Sequence, residues 1–463
     1  MKRLLSVVLA LCLFLSLAVV SAHAEDITLD VIIAQYGPNT QDWFLGEGMD
    51  GSNFVAKFEE ANPGIKLNLE VVSWNDLYTV VSTRISNNNA PDILNIDVFA
   101  DYANEGLLMP VSEYCPEELF QDFFPQFIEQ SVIDGTVWAV PDLASARALF
   151  YNEDLLKEAG VDKVPETWAE LGDASQAIID AFGGEVYPWG IDMTTDEGQA
   201  AFAYYTWGTN GGFVDDSGEW ILNSDANVEA IEYAIGLVNK GFTNPNPATQ
   251  TRYDLQDMFA AGKMAMLIAP NQLPTYILDK EGTVVPGTAA LPHNEGAGSS
   301  SVGVMDRIMA FKDDTAPDQA ARNEAIGKFL TFFYDPANYV GWVSMEGFLP
   351  AVNSAVGALV EADPTFQAWL DVLGSAKFNP TTKAEWNDVK QGVIDVEQQA
   401  LTGGNVKELL DALQAKITGK SSLIIREAGS PGLPLFVTGE QACVQFLSAI
   451  VGNHIYGSFP AFC

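Results

Sequence analysis

Residues 138–168 read WAVPDLASARALFYNEDLLKEAGVDKVPETW, and the fold is decided there. Val137 to Val140 form a short apolar run that Pro141 is expected to stop, since proline has no N–H for a neighbouring strand. A loop of small residues follows, then a second apolar run from Ala148 to Tyr151. Asn152 is placed to cap a helix, its side-chain oxygen taking an otherwise unpaired N–H. Leu155, Leu156 and Ala159 give that helix an apolar face, and Gly160 supplies its stop. Beyond Pro165, Thr167 and Glu170 stand three apart as the capping box of a further helix.

Upstream, the pattern alternates. Ile27 to Ala34 is apolar enough for a buried strand, and Ser52 to Ala61 is a helix with Phe54 and Phe58 four apart, ended by Asn62-Pro63-Gly64. Ile65 to Val72 is a second strand, and Leu77, Val80, Val81 and Ile85 fall at helical spacing. Pro91 precedes a third strand, Asp92 to Ile96. Such alternation predicts an α/β fold with mainly parallel sheets flanked by helices. Downstream come a glycine-rich turn at Trp207–Phe213, a helix end feeding a strand at Phe259–Met266, and a Gly-, Ser- and Pro-rich stretch at 282–303. Helices are expected at 317–334 and near 384–401 and 405–418.

These words, in this order, resemble the sugar-type (family 1) extracellular solute-binding proteins that feed ABC importers. The resemblance rests on Phe58 to Ile65, Trp74 to Tyr78, Ala90 to Ile93, Tyr151-Asn152, Pro165 to Trp168, Phe259 to Met266 and Gly347 to Ala351. Where the family often has Gly before Ala-Pro-Asp, this chain has Asn87-Asn88-Asn89. The likeness covers about 26–418 and implies a two-lobe, periplasmic-binding-protein-like fold with the ligand cleft between the lobes. It implies crossovers near 147, 290 and 347. The lobes are then 25–147 with 290–347 and 148–289 with 348–418, and 419–463 is an atypical tail without periodicity.

Length and charge bound the function. At 463 residues the chain is too long for one ordinary core. Lys2 and Arg3, the apolar run Leu4 to Val20 and Ala22-His23-Ala24 form a signal peptide, 1–24, cut after Ala24. Cys12 lies mid-run behind Leu11, so no lipid anchor is expected. The exported chain keeps 62 acidic residues against 21 basic ones once Lys2 and Arg3 are gone, a surface that repels nucleic acid and anionic lipid. Cys115, Cys443 and Cys463 allow at most one disulfide.

Catalytic chemistry has little material. Gly46, Gly48 and Gly51 spell a dinucleotide motif, but eleven residues, Gln35 to Leu45, part it from the strand it would need to follow. His293 and His454 are far apart, so a His-based metal site or a Ser-His-Asp triad is not expected, nor any cofactor. A carboxylate pair for glycoside hydrolysis stays open as a rival reading.

Ligands of open α/β sheets bind outside the carboxyl ends of strands, and sugars need rings to stack on beside fixed polar partners. Tyr36 and Trp43 follow the first strand, Trp74 the second, and Asp97 the third. Asp142 and Arg147 lie in the predicted crossover loop, Trp207 and Asn210 before the glycine turn, and Asn271 after the strand at Lys263–Ile268. Asp306 and Arg307 follow Ser301–Met305, and Trp342 precedes the third crossover. Each has an ordinary alternative: core for a Trp, a helix cap for Asp97, an ion pair for the arginines. The expected partners are a saccharide and the membrane subunits of an ABC importer, with the protein itself monomeric. Arg147, Arg252 and Arg307 keep an anionic solute open as a second ligand class.

Overall fold

The computed structural model describes residues 26–46, 53–313, 315, 317–374 and 376–419. The signal segment, the dinucleotide-like Gly48 and Gly51, and the tail from 420 onward lie outside the described residues. Three strands, β1 (Ile27–Ala34), β2 (Ile65–Val72) and β3 (Ile93–Ile96), form where the branched apolar runs predict them. β1 pairs in parallel with both neighbours, Val31 standing opposite Leu69 and Ile93. In β2 Ile65, Leu67 and Leu69 are buried while Lys66, Asn68 and Glu70 are exposed, the alternation of an edge strand wet on one face.

A short hairpin follows, β4 (Val132–Ile133) and β5 (Thr136–Val137), turned by Asp134 and Gly135. Both turn residues have positive φ, 50° and 76°, as a two-residue Asp-Gly turn requires.

Then comes β6 (Val140–Asn152), and here the sequence reading needs correcting. The expected stop at Pro141 and the loop after it do not exist: 13 residues run as one strand. Its antiparallel partner is β10 (Val302–Ala310), with Gly303 opposite Ala146 and Arg307 opposite Pro141. The register slips by one between those pairs, so Asp142 and Leu143 together face Asp306. A bulge of this kind is where a strand tolerates proline. Small residues at 144–146 kept the segment from looking like a strand, yet Ala144, Ser145 and Ala146 are all buried.

The remaining strands are β7 (Tyr187–Gly190), β8 (Met264–Pro270), β9 (Pro286–Ala289), β11 (Leu349–Pro350) and β12 (Lys377–Phe378). The main path runs β2-β1-β3-β10-β6-β8-β7, with β9 and β11 also on β6 and β12 on β10. The sheet is mixed. β1 with its neighbours and β7 with β8 are parallel, whereas β10 and β6 enter antiparallel. The amino-terminal half of β6 pairs with β10 and its carboxyl-terminal half with β8, so one strand is common to both ends of the path.

Helices cover the sheet where capping chemistry starts them. Asn152 Oδ1 accepts from the Leu155 N–H at 3.2 Å, and Thr167 and Glu170 close their reciprocal box at the head of Trp168–Phe182. The helices Trp386–Leu401 and Val406–Ile417 pack on Gly198–Trp207 and Asp225–Asn239. Gln414 fastens them, donating to the Trp220 carbonyl at 2.7 Å and accepting from the Leu222 N–H at 2.7 Å. Cys115 is a free, half-buried thiol; Cys443 and Cys463 fall outside the described residues.

Candidate functional site

Asp97 leaves the carboxyl end of β3 and meets two side chains from elsewhere. The Tyr78 hydroxyl, on helix Trp74–Ser86, donates to Oδ1 at 2.6 Å, and Lys390 Nζ, on helix Trp386–Leu401, reaches Oδ2 at 2.8 Å. The same ammonium hydrogen-bonds to Tyr78 Oη and sits 4.1 Å from the centre of its ring. Burial alone would raise the Asp97 pKa. The Lys390 charge and the two hydrogen bonds outweigh it, and the carboxyl stays below its ordinary value.

A second charged group faces it. Arg147 on β6 holds Glu197 in a forked pair, Nε to Oε1 at 2.8 Å and Nη2 to Oε2 at 3.1 Å, while Nη1 donates to Ser145 Oγ at 2.6 Å. The Tyr204 hydroxyl adds a 2.6 Å bond to the same carboxylate. Arg252, opening helix Arg252–Ala260, lies 3.6 Å from both Glu197 and Asp196. Burial pushes Glu197 up, but the two guanidiniums bring it below the usual carboxylate range; for Asp196, burial wins and the pKa rises. Asp306 is raised to about 7 by burial and by repulsion from Asp97.

Between the two groups lies a cavity of ≈ 50 Å³. Four rings contribute to its wall: Tyr36, Trp74, Tyr78 and Phe348. Tyr36 is fixed edge-on against Trp74 and Phe348, with centroids 5.7 and 5.4 Å away, and its hydroxyl donates to Asn95 Oδ1 at 3.1 Å. The polar wall is Asp97, Ser145, Arg147, Asp196, Glu197, Gln199, Arg252, Asp306, Asn379 and Lys390. Every cation among them is already beside a carboxylate. Larger clefts lie elsewhere, one of ≈ 660 Å³ between Phe127 and Leu370 for example, but its lining holds no cation. Among the described residues no group of His, Cys, Asp or Glu is arranged for a metal.

Of the residues predicted for the site, Tyr36, Trp74, Asp97, Arg147 and Asp306 come together on this cavity. The others are placed elsewhere. Trp43 and Trp342, 6 % and 0 % exposed, pack on each other at 5.1 Å in an aromatic cluster, Trp342 also 5.1 Å from Phe44 and Trp43 5.4 Å from Phe54. Trp207 is buried against Phe213. Asp142, pushed into the interior by the bulge, accepts from Asn95 Nδ2 at 2.9 Å and lies by Trp342 Nε1. Asn271 is held by the backbone, accepting from the Ala146 N–H at 3.2 Å and donating to the Gly347 carbonyl at 2.7 Å. Asn210 occupies an exposed-side turn at φ 61°, its amide 3.5 Å from the Gly296 carbonyl. Arg307 turns away from the cavity into a backbone cage.

Sequence reasoning missed Tyr78, Ser145, Asp196, Glu197, Gln199, Val304, Phe348, Asn379 and Lys390, and it weighed Arg252 for charge alone. A signal for Lys390 existed. Trp386, Val389, Lys390 and Val393 fall on one helical face, so a lysine stands in an apolar stripe.

Comparison with known proteins gives this geometry a family. The family model described as bacterial extracellular solute-binding protein matches residues 49–340. A relative in Brucella abortus (strain 2308) is 27 % identical over 417 residues, covering 89 % of this chain and 97 % of its own. The arabinooligosaccharide-binding protein of Bacillus subtilis (strain 168) is 24 % identical over 379 residues, 75 % of this chain and 83 % of its own. Among solved structures, maltose-bound MalE3 of T. maritima superposes with a TM-score of 0.74 at 20 % identity, covering 85 % of this chain and 100 % of its own. The maltotriose-bound MalE of Bdellovibrio bacteriovorus gives 0.70 at 18 % identity, covering 85 % and 99 %. The fold they share is the two-lobe α/β fold of sugar-binding proteins. Among the described residues, no helix is long and apolar enough to cross a membrane.

Proposed function

The chain belongs to the bacterial extracellular solute-binding proteins, and from that premise we propose that it captures a neutral sugar and hands it to an ABC importer. The observation that carries this reading is the pairing of every cation on the cavity wall. An anionic solute would have to displace Asp97 from Lys390 or Glu197 from Arg147, and breaking a buried pair costs about 3–5 kcal/mol. A sugar hydroxyl donates and accepts at once, so it can join the two partners without parting them. The rings of Trp74 and Tyr78 offer apolar surface for C–H faces. Names of relatives agree, since the Bacillus subtilis protein is an arabinooligosaccharide-binding protein and MalE3 holds maltose.

In this reading the lobes are 25–147 with 290–347 and 148–289 with 348–418, the export signal is 1–24, and the solute bridges residues such as Asp97 and Arg147 on one side and Glu197, Arg252 and Lys390 on the other. Closure follows only from contacts that the ligand makes better in the closed state. Calorimetric titration against neutral saccharides and against uronates and sugar phosphates tests the reading. Micromolar or tighter binding confined to neutral compounds supports it. Tight binding of the anionic members alone would overturn it, and release of reducing ends from an oligosaccharide would point to the glycosidase instead.

A further inference from the structure

Helix Trp386–Leu401 reaches the segment after β3 through two side chains three residues apart. Lys390 Nζ meets Asp97 Oδ2 at 2.8 Å, and Asn387 Nδ2 lies 3.4 Å from Asp101 Oδ2. The ion pair is held out of water, its side chains 5 % and 14 % exposed, and the ammonium also lies over the Tyr78 ring. A second strap comes from helix Arg252–Ala260, where the Tyr253 hydroxyl donates toward the Gln35 and Tyr36 carbonyls at 2.9 and 3.1 Å. The loop it grips is fixed from behind. Thr40 Oγ1 accepts from the Tyr36 and Gly37 N–H groups at 3.0 Å each and donates to Glu346 Oε1.

Both straps join stretches assigned above to different lobes. Asp97, Asp101 and the Gln35–Tyr36 loop belong to one, and Lys390, Asn387 and Tyr253 to the other. The straps use only groups of the chain itself. With both fastened, the ≈ 50 Å³ cavity has room for about four water-sized groups, at roughly 10–15 Å³ each, fewer than the atoms of one sugar ring. A ring therefore enters only once Lys390 has drawn back from Asp97. Its hydroxyls can then fill the gap and join the two again at one remove.

We propose that Lys390 on Asp97 and Tyr253 on the Gln35–Tyr36 loop latch the lobes together without solute, Lys390 keeping the place beside Asp97 and Tyr78 that solute hydroxyls take once the latch parts. This deepens the lobe reading above and rests on it. The test uses the full exported chain with no solute and with Cys115→Ser, Cys443→Ser and Cys463→Ser. Spin labels go on Glu105→Cys and Asp395→Cys, exposed positions beyond the Asp101–Asn387 contact on either rim, and pulsed electron resonance reads the distance between them. With the latch intact, one narrow, short distance is expected. Lys390→Met keeps the stem but leaves Asp97 to close on no cation, so the open-to-closed ratio should rise ten-fold or more. Tyr253→Phe removes a hydroxyl and should raise it about five-fold. In the double variant the longer distance should be the main one. If Lys390→Met does not fold, Tyr253→Phe decides alone. An unaltered distribution in the folded variants overturns the latch, as does a latch-intact chain whose main distance is already the longer one. Either result leaves the sugar reading standing, because that reading is decided by titration with saccharides.

Discussion

Arg147 and Arg307 sit on adjacent central strands, both are buried, and the sequence offers no way to tell them apart. Their partners do. Arg307 gives Nε to Ser131 Oγ at 3.0 Å, Nη1 to the Asp97 and Met305 carbonyls at 2.7 and 3.0 Å, and Nη2 to the Gln130 carbonyl and Thr381 Oγ1 at 3.0 and 2.9 Å. Five donors meet five acceptors, four segments of chain are tied together, and the Phe99 ring closes the cage at 5.0 Å. Arg147 instead spends its fork on a carboxylate that lines the cavity. A guanidinium bound to backbone carbonyls belongs to the scaffold, because no solute can replace the chain. One bound to a cavity carboxylate can share its partner with a ligand hydroxyl.

The sharpest way to break that contrast is Arg307→Ala. It strands three carbonyls and two hydroxyls, and the expected loss is about 3–5 kcal/mol in urea unfolding. A stable variant that loses only ligand affinity would reverse the assignment of the two arginines. Trp342→Ala extends the test to the aromatic residues: at 0 % exposure the ring is core, and about 3–5 kcal/mol should be lost in the same assay. Selective loss of affinity there would put the stacking surface back at Trp342. Arg147→Lys keeps the charge and removes the fork. Ligand affinity should fall about ten-fold in calorimetry, or about 1.4 kcal/mol, with a smaller drop in stability.

Asp306 allows a pH test on the cavity side. Its pKa of about 7 lies above the unfolded carboxyl near 3.9, so the native state holds the proton more tightly. Its contribution to stability is full below about pH 4 and is lost as the pH rises to about 7. Asp306→Asn should therefore flatten the pH dependence of unfolding across that window by one proton's worth. An unaltered slope would show that Asp306 is ordinarily ionised. The smallest effect is expected at Asn210, which lies away from the cavity. Asn210→Gly suits its φ of 61° and should change stability by less than about 0.5 kcal/mol and affinity not at all. A clear loss of binding would return it to the site.

What the sequence made legible follows from where the information is local. The boundaries of β1 and β2, the Asn152 cap and the Thr167–Glu170 box depend on a few neighbouring residues, and all are found as read. Pro141 misled because what allows it in a strand is a bulge defined by β10, more than 150 residues away. The site was half legible for the same reason. Asp97 follows the rule about strand ends, whereas Arg147 was read in a loop and stands inside β6, and Lys390 and Arg252 reach the cavity from helices, whose packing the local sequence does not give. Trp43 and Trp342 were drawn to the site by residue type, and the structure places both in an aromatic cluster with Phe44 and Phe54, off the wall of this cavity.

The antiparallel pairing of β3 with β10 carries a further consequence, for how the chain assembles. Ile93 to Ile96 bond to Ala310 to Arg307, and over 200 residues separate the two strands. Until residue 310 is available, the β2-β1-β3 ribbon has a bare edge of apolar residues, Ile93, Leu94 and Ile96, all fully buried in the finished fold. Bare apolar edges invite pairing with other chains, and closing so long a loop is slow. The strand that closes this edge also carries Asp306 and Arg307, so part of the cavity wall and the guanidinium at the centre of the scaffold cage arrive with it.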